Sequence, residues 1–239
     1  MIAPSPQAVL AAGTLSALSL GLLRRPPAWA LRALAVATIV SAMLCVTGSS
    51  STPIVSPILM SDVKSLGWQY LICLGALPLS LWLDGKDDVM TALFLGSTLG
   101  MSLLAAAANL PMIFIALEFM SLPAYLLVAR SRPGGRGLEA AIKYFFAGGL
   151  AGALFMLGLS FYYADTRSLS FSVALSPLGQ AGAALMAAAA LFKLGAFPLH
   201  WWLPDVYEAA SPEVSGFLST SMKSAGVLFL MRLCELAPQ

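Results

Sequence analysis

Apolar residues fill long, nearly unbroken runs along this chain, and ionisable residues gather with Pro and Gly in the gaps. Eight runs emerge, at residues 6–23, 28–46, 68–83, 89–108, 111–129, 138–163, 178–202 and 214–233. Each approaches the roughly 20 apolar residues that a helix needs to cross a hydrocarbon core. The pattern predicts an all-α polytopic membrane protein of about eight transmembrane helices, the third short and the seventh interrupted. Glycines recur four apart, Gly96 with Gly100 and Gly148 with Gly152, and Ala187 through Ala190 make the seventh span slim. Small residues at that spacing let helix backbones approach closely in lipid, which reports packing rather than activity. The Ser- and Pro-rich stretch 48–57 reads as an outward-facing loop.

Composition sharpens the class. Of 239 residues 59% are apolar and only 10% are charged, against about a quarter charged in an ordinary soluble domain. Mean hydropathy is +0.86. So much apolar surface excludes a disordered chain, and too few polar residues remain to coat a soluble globule. The net charge of +2 is too small to imply nucleic acid, and the lipid bilayer is the partner the composition asks for. Cys45, Cys73 and Cys234 are scattered through apolar runs without a CxxC or Cys/His cluster. They read as small hydrophobes, not as metal ligands or a disulfide framework.

Charge placement predicts orientation. No Lys or Arg precedes the first span, and Arg24 and Arg25 follow it, so it is not a cleavable signal peptide. The joins after the first, third and fifth spans would be cytoplasmic, with Arg24, Arg25, Arg32, Lys86, Arg130, Arg132 and Arg136. Those after the second and sixth carry only Lys64 and Arg167. That asymmetry obeys the positive-inside rule and puts both termini on the outer side.

Four ionisable residues fall inside spans: Glu118, Lys143, Lys193 and Lys223. Each charge at the bilayer centre costs about 2.5–3.5 kcal/mol on insertion scales. Structural ion pairs are one reading. One carboxylate against three lysines pairs poorly, which favours the other reading, a path for protons. Glu118 and Lys193 are each followed five residues later by a proline, Pro123 and Pro198. Proline cannot donate to the carbonyl four residues back, so the carbonyls of Phe119 and Leu194 are expected to be free and the helices broken beside the charges. Interrupted helices next to ionisable groups can line ion and proton paths.

Lys143 lies about 7–8 Å into its span and could instead reach the cytoplasmic surface. His200, the one histidine, lies seven residues after Lys193, close to two turns. Both a relay and a hydrogen-bonding structural role are open to it. The chemistry that fits this set is acid–base rather than redox. A low dielectric favours a neutral amine, and a nearby carboxylate favours the ammonium. Moving a Glu relative to a Lys can therefore load or unload a proton.

Three blocks carry a family resemblance. They are Leu117-Glu118-Phe119-Met120-Ser121-Leu122-Pro123-Ala124-Tyr125, then Leu138-Glu139-Ala140-Ala141-Ile142-Lys143-Tyr144-Phe145, and a third from Phe192-Lys193-Leu194-Gly195-Ala196-Phe197-Pro198-Leu199-His200 through Trp202-Leu203-Pro204-Asp205-Val206-Tyr207-Glu208 to Met222-Lys223. Together they resemble the antiporter-like proton-channel subunits of respiratory complex I (NADH:quinone oxidoreductase) and their Mrp antiporter relatives, most closely the N-type. The resemblance implies that residues 1–88 hold three N-terminal helices. Residues 89–239 would form one five-helix half-channel, helices 4 to 8, with a broken helix 7. It implies a proton relay in which Glu118 and Lys193 form a switching pair, Lys223 hands protons onward, and Lys143 is the helix-6 lysine. It implies no cofactor in this chain; quinone, NADH, FMN and Fe–S clusters would lie elsewhere in the complex, whose quinone reduction drives proton movement. The implied home is the bacterial plasma (inner) membrane, among other membrane subunits.

The sequence departs from the family in two places. Glu213 stands where a proline is usual, in a join. The second, inverted repeat does not follow the eighth span, so a separate chain could supply that half-channel, or the subunit is split, fragmentary or shortened. Two other functions fit the same residues: a Mrp-type cation/proton antiporter subunit, and a non-pumping half-subunit that only bridges its neighbours. A membrane-bound hydrogenase of complex I type uses similar subunits.

Overall fold

A computed structural model describes residues 5–23, 27–48, 54–55, 58–82, 88–132, 135–170 and 175–234. Arg24, Arg25 and Lys86 of the orientation argument lie outside the described residues. The helices are α1 (Pro6–Leu23), α2 (Ala28–Gly48), α3 (Val63–Trp82), α4 (Asp88–Ala105), α5 (Leu110–Ser131), α6 (Gly135–Thr166), α7 (Pro177–Leu194), α8 (Leu203–Ala209), α9 (Pro212–Phe217) and α10 (Lys223–Cys234). A π-helical turn, Leu218–Met222, joins α9 to α10. Part of the expected loop 48–57 is instead strand β1 (Ile54–Val55), antiparallel to β2 (Met60–Ser61) with Val55 opposite Met60.

Six runs among the described residues are long and apolar enough to cross a membrane: α2, α4, α5, α6, α7 and the composite Pro212–Cys234. The helices α1 and α3, which the sequence pattern also counts as spans, are not among those six, so the expected number of eight is not reached on this criterion. The third span begins five residues earlier than its apolar run because Asp62 caps it. The backbone N–H of Ser65 donates to the Asp62 carboxylate at 2.8 Å, and that of Asp62 to the Ser65 hydroxyl at 3.0 Å. Such reciprocal bonds satisfy the orphan donors of a helix start.

The helix α4 is the most enclosed, with thirteen buried residues among its eighteen. It lies against α1, α3 and α5. Its Gly100 faces the backbone of Phe119 and Met120 on α5, where a Cβ would have no room. Gly96 lies one turn away, with the ring of Pro123 at 3.7 Å from where its Cβ would be. The two glycines thus seat α4 against α5 at its proline. The expected helix break at Pro123 does not occur: α5 runs through to Ser131. Beside the proline, the hydroxyl of Ser97 on α4 donates to the carbonyl of Met120 at 2.8 Å, a bond that ties α4 to α5 there.

The other arm of the bundle is α6 packed along α7. They meet at Gly158 and Gly182, each facing the other's carbonyl oxygen. The ring of Phe155 joins α6 to Phe114 on α5 and Phe229 on α10, with centroids at 5.8 and 5.7 Å.

Candidate functional site

The first part of the site is a stripe on α5. Asn109 caps this helix by accepting from the Met112 N–H at 2.8 Å, and Pro111 sits in its first turn. From that start Glu118, Ser121 and Tyr125 fall three and then four residues apart, which stacks them on one face. Opposite them, α7 presents Lys193 near its C-terminus.

The Lys193 ammonium donates to the Ser121 hydroxyl at 2.6 Å and to the Tyr125 hydroxyl at 3.4 Å. It lies 3.9 Å from the Glu118 carboxylate, which is beyond a hydrogen bond. The lysine side chain is 6% exposed and that of Glu118 29%. Glu118 Oε1 is buried without a hydrogen-bond partner among the described residues. Ser121 donates in turn to the Leu117 carbonyl at 2.6 Å, so its lone pairs face the ammonium. A lysine held by two neutral hydroxyls beside one unmet carboxylate oxygen has two competing positions. Leaving a buried acceptor unmet costs about 1–3 kcal/mol or more, comparable to what the hydroxyls offer. A small movement of the ammonium can therefore change which partner it serves.

The pair Gly148 and Gly152 on α6 makes room for this stripe. A Cβ at Gly148 would overlap the Tyr125 hydroxyl, and one at Gly152 would lie 3.2 Å from Glu118 Oε1. The sequence pattern presents these glycines as packing alone; in the structure the atoms they admit belong to the site.

Lys223 forms a second part. The α7 helix ends at Leu194 because Gly195 adopts φ of 66°, a left-handed conformation that glycine takes at little cost. The helix therefore stops at the residue after Lys193, four residues before Pro198, and it is Gly195 that ends it. The freed Leu194 carbonyl is occupied by the ammonium of Lys223. That ammonium also lies 5.9 Å from the Trp202 ring. The π-helical turn immediately precedes Lys223, and such turns often mark functional positions. Trp202 stacks on Tyr144 with centroids 4.5 Å apart, and Tyr144 meets the edge of Tyr125 at 4.5 Å. A wall of three rings thus runs from the Lys193 pocket to Lys223.

Lys143 and His200 are not gathered into this cluster. Lys143 is 44% exposed and bridges Glu139 at 2.9 Å and Asp205 at 2.8 Å. It lines a charged bowl of about 660 Å³ with Arg132, Arg136 and Glu208. This is the surface position that the sequence leaves open to it. His200 is exposed in the turn after α7, its ring 5.8 Å from that of Phe197. Among the described residues no group of three His, Cys, Asp or Glu could hold a metal ion. The sequence pattern frees the Leu194 carbonyl but assigns no role to Ser121, Tyr125 or Trp202. The signal for Ser121 and Tyr125 was their helical spacing from Glu118; Trp202, and Lys223 as the partner of the Leu194 carbonyl, depend on tertiary contact.

The family described as NADH:quinone oxidoreductase/Mrp antiporter, TM, matches residues 107–238. NADH-quinone oxidoreductase subunit N of Francisella tularensis subsp. holarctica is 41% identical over 158 residues, covering 61% of this chain and 32% of the relative. Subunit N of Methylococcus capsulatus is 35% identical over 200 residues, covering 77% of this chain and 41% of the relative. The chain thus spans well under half the length of these relatives. Among solved structures, respiratory complex I from Thermus thermophilus with bound aureothin aligns over 95% of this chain and 52% of its own, with 32% identity and a TM-score of 0.88. The Mrp complex from Dietzia sp. DQ12-45-1b shares the fold at 20% identity, TM-score 0.78, over 95% of this chain and 48% of its own. With a family match over more than half its length, this integral membrane chain belongs to the NADH:quinone oxidoreductase/Mrp antiporter family, in an antiporter-like fold.

Proposed function

We propose that this chain is a proton-translocating, N-type membrane subunit of a complex I-type NADH:quinone oxidoreductase. The observation that carries this reading is the buried Lys193 ammonium, held by Ser121 and Tyr125 within 3.9 Å of the Glu118 carboxylate. Glu118 and Lys193 serve as the switching pair. Lys223, seated on the Leu194 carbonyl at the end of α7, receives the proton when the pair opens. Lys143, exposed near the start of α6 in the charged bowl with Asp205, acts as a collector there. His200 is a peripheral member of the relay.

Within this reading residues 1–88 are a three-helix support and residues 89–239 the half-channel. Both termini face outward in a bacterial inner membrane. The partners are other membrane subunits, one of which supplies the second half-channel. Quinone, NADH, FMN and Fe–S clusters are handled elsewhere in that assembly. The relatives named as subunit N support this over an antiporter.

The test is Lys193→Ala in the intact native complex, reconstituted in liposomes. Quinone-coupled proton pumping should fall to a small fraction of the parent's while the assembled complex persists. Undiminished pumping would overturn the proposal. A proton flux that follows Na⁺, with no quinone enzyme attached, would instead indicate a Mrp-type antiporter.

A further inference from the structure

The Lys193 ammonium is poised between Glu118 and Tyr125, and the switching pair alone gives no reason for the second partner. Tyr125 is buried, and its ring is fixed edge-on against Tyr144 and Phe145, at centroid distances of 4.5 and 5.8 Å. Its hydroxyl lies 3.4 Å from the ammonium, on the side of Ser121 away from Glu118 along α5. A glycine, Gly148, is needed to admit that hydroxyl. The ring belongs to the aromatic wall that ends at Lys223. Glu118 and Tyr125 face the ammonium from α5, and Tyr144 on α6 backs the Tyr125 ring.

We propose that Tyr125 is a positioning residue for Lys193: its hydroxyl holds the ammonium off Glu118, on the side of the pocket that leads toward Trp202 and Lys223. This rests on the reading of Glu118 and Lys193 as a switching pair. Glu118 attracts the ammonium electrostatically, and neutral hydroxyls hold it by hydrogen bonds. Without the tyrosine hydroxyl the balance tips toward the carboxylate, and the pair closes too tightly to release its proton.

The experiment measures quinone-coupled pumping by the intact complex in liposomes for Tyr125→Phe, which keeps the ring and removes the hydroxyl. Pumping should fall about three- to ten-fold, the net worth of one such hydrogen bond. The discriminating readout is Glu118→Asp combined with Tyr125→Phe. Shortening the carboxylate draws it back from the ammonium, so the double variant should pump faster than Tyr125→Phe alone. Tyr162→Phe, which removes another buried tyrosine hydroxyl, bonded to the Ser170 carbonyl, should leave the pumping rate per assembled complex unchanged. If Tyr125→Phe prevents assembly, Gly148→Ala displaces the same hydroxyl and should give the same loss and the same recovery. Normal pumping by Tyr125→Phe, or a double variant at or below Tyr125→Phe alone, overturns the proposal and leaves the switching pair standing. Normal pumping by Lys193→Ala would remove the switching pair itself.

Discussion

The ammonium of Lys223 sits on the carbonyl of Leu194, the last residue of α7. Carbonyls in the final turn of a helix lack intrahelical donors and carry the negative end of its dipole, so a cation there satisfies an acceptor and complements a charge. The contact exists only because Gly195 turns the chain away at once.

Gly195→Ala tests this seat. The residue holds φ of 66°, and a Cβ would lie 3.0 Å from the Lys223 ammonium and 3.1 Å from the Leu203 side chain. The left-handed conformation alone costs a side chain about 1–2 kcal/mol. We expect a lower melting temperature for the purified complex, together with slower pumping as the new methyl group presses on the ammonium. A variant that melts and pumps like the parent would show that the cap has no part in placing Lys223.

The junction of α6 and α7 gives a stability prediction. A Cβ at Gly158 or at Gly182 would lie 2.5 Å from the other's carbonyl oxygen. Either Gly→Ala change forces the helices apart, and overpacking of this kind costs about 1–3 kcal/mol. Gly149, also on α6, has nothing within 4 Å of where its Cβ would go. Gly149→Ala should be neutral or stabilising by up to about 1 kcal/mol, from helix propensity. Thermal unfolding in detergent separates the two cases.

The apolar runs reveal the helices because a membrane demands long apolar segments, and the four internal charges are conspicuous for the same reason. Glu118 and Lys193 stand out in that pattern, but only the family resemblance implies that they act as a pair. What failed was the inference from proline to break on α5. At Pro123 α5 runs on unbroken, with Gly100 and Ser97 of α4 packed beside it, and the end of α7 is set by the left-handed Gly195. The π-helical turn before Lys223 leaves no trace in an apolar pattern, since it changes register by one residue without changing composition. Tyr125 went without a role because an aromatic residue at helical spacing looks like core until its partner is known.

Asp62 supplies a pH dependence outside the spans. Burial acts to raise its pKa, but the Ser65 backbone N–H, the Ser65 hydroxyl and the Arg232 guanidinium 4.0 Å away outweigh that and hold it below the ordinary 3.8. A carboxyl with a lowered folded pKa adds stability above its unfolded value, and that stability is lost as pH falls through the folded one. The purified protein should lose stability as pH drops below about 4. Asp62→Asn keeps a capping oxygen but removes the charge, so it should flatten that acid limb. Asp62→Ala also removes the cap and should cost about 1 kcal/mol at neutral pH. An acid limb unchanged in Asp62→Asn would assign it to other carboxylates.

Lys143 and Lys193 should respond differently to the same substitution. The Lys143 side chain is 44% exposed, and its pairs with Glu139 and Asp205 face the charged bowl. Exposed pairs contribute about 0–1 kcal/mol and weaken with salt. Lys193 is 6% exposed, and removing it leaves the half-buried Glu118 without its nearest cation. Lys143→Ala should therefore leave the melting temperature nearly unchanged and reduce pumping only a few-fold, less so at high ionic strength, where the parent's own pairs are screened. Lys193→Ala should lose most pumping at every salt concentration. Equal, salt-independent losses from the two would mean that Lys143 moves protons from within the same line, not from its exposed end.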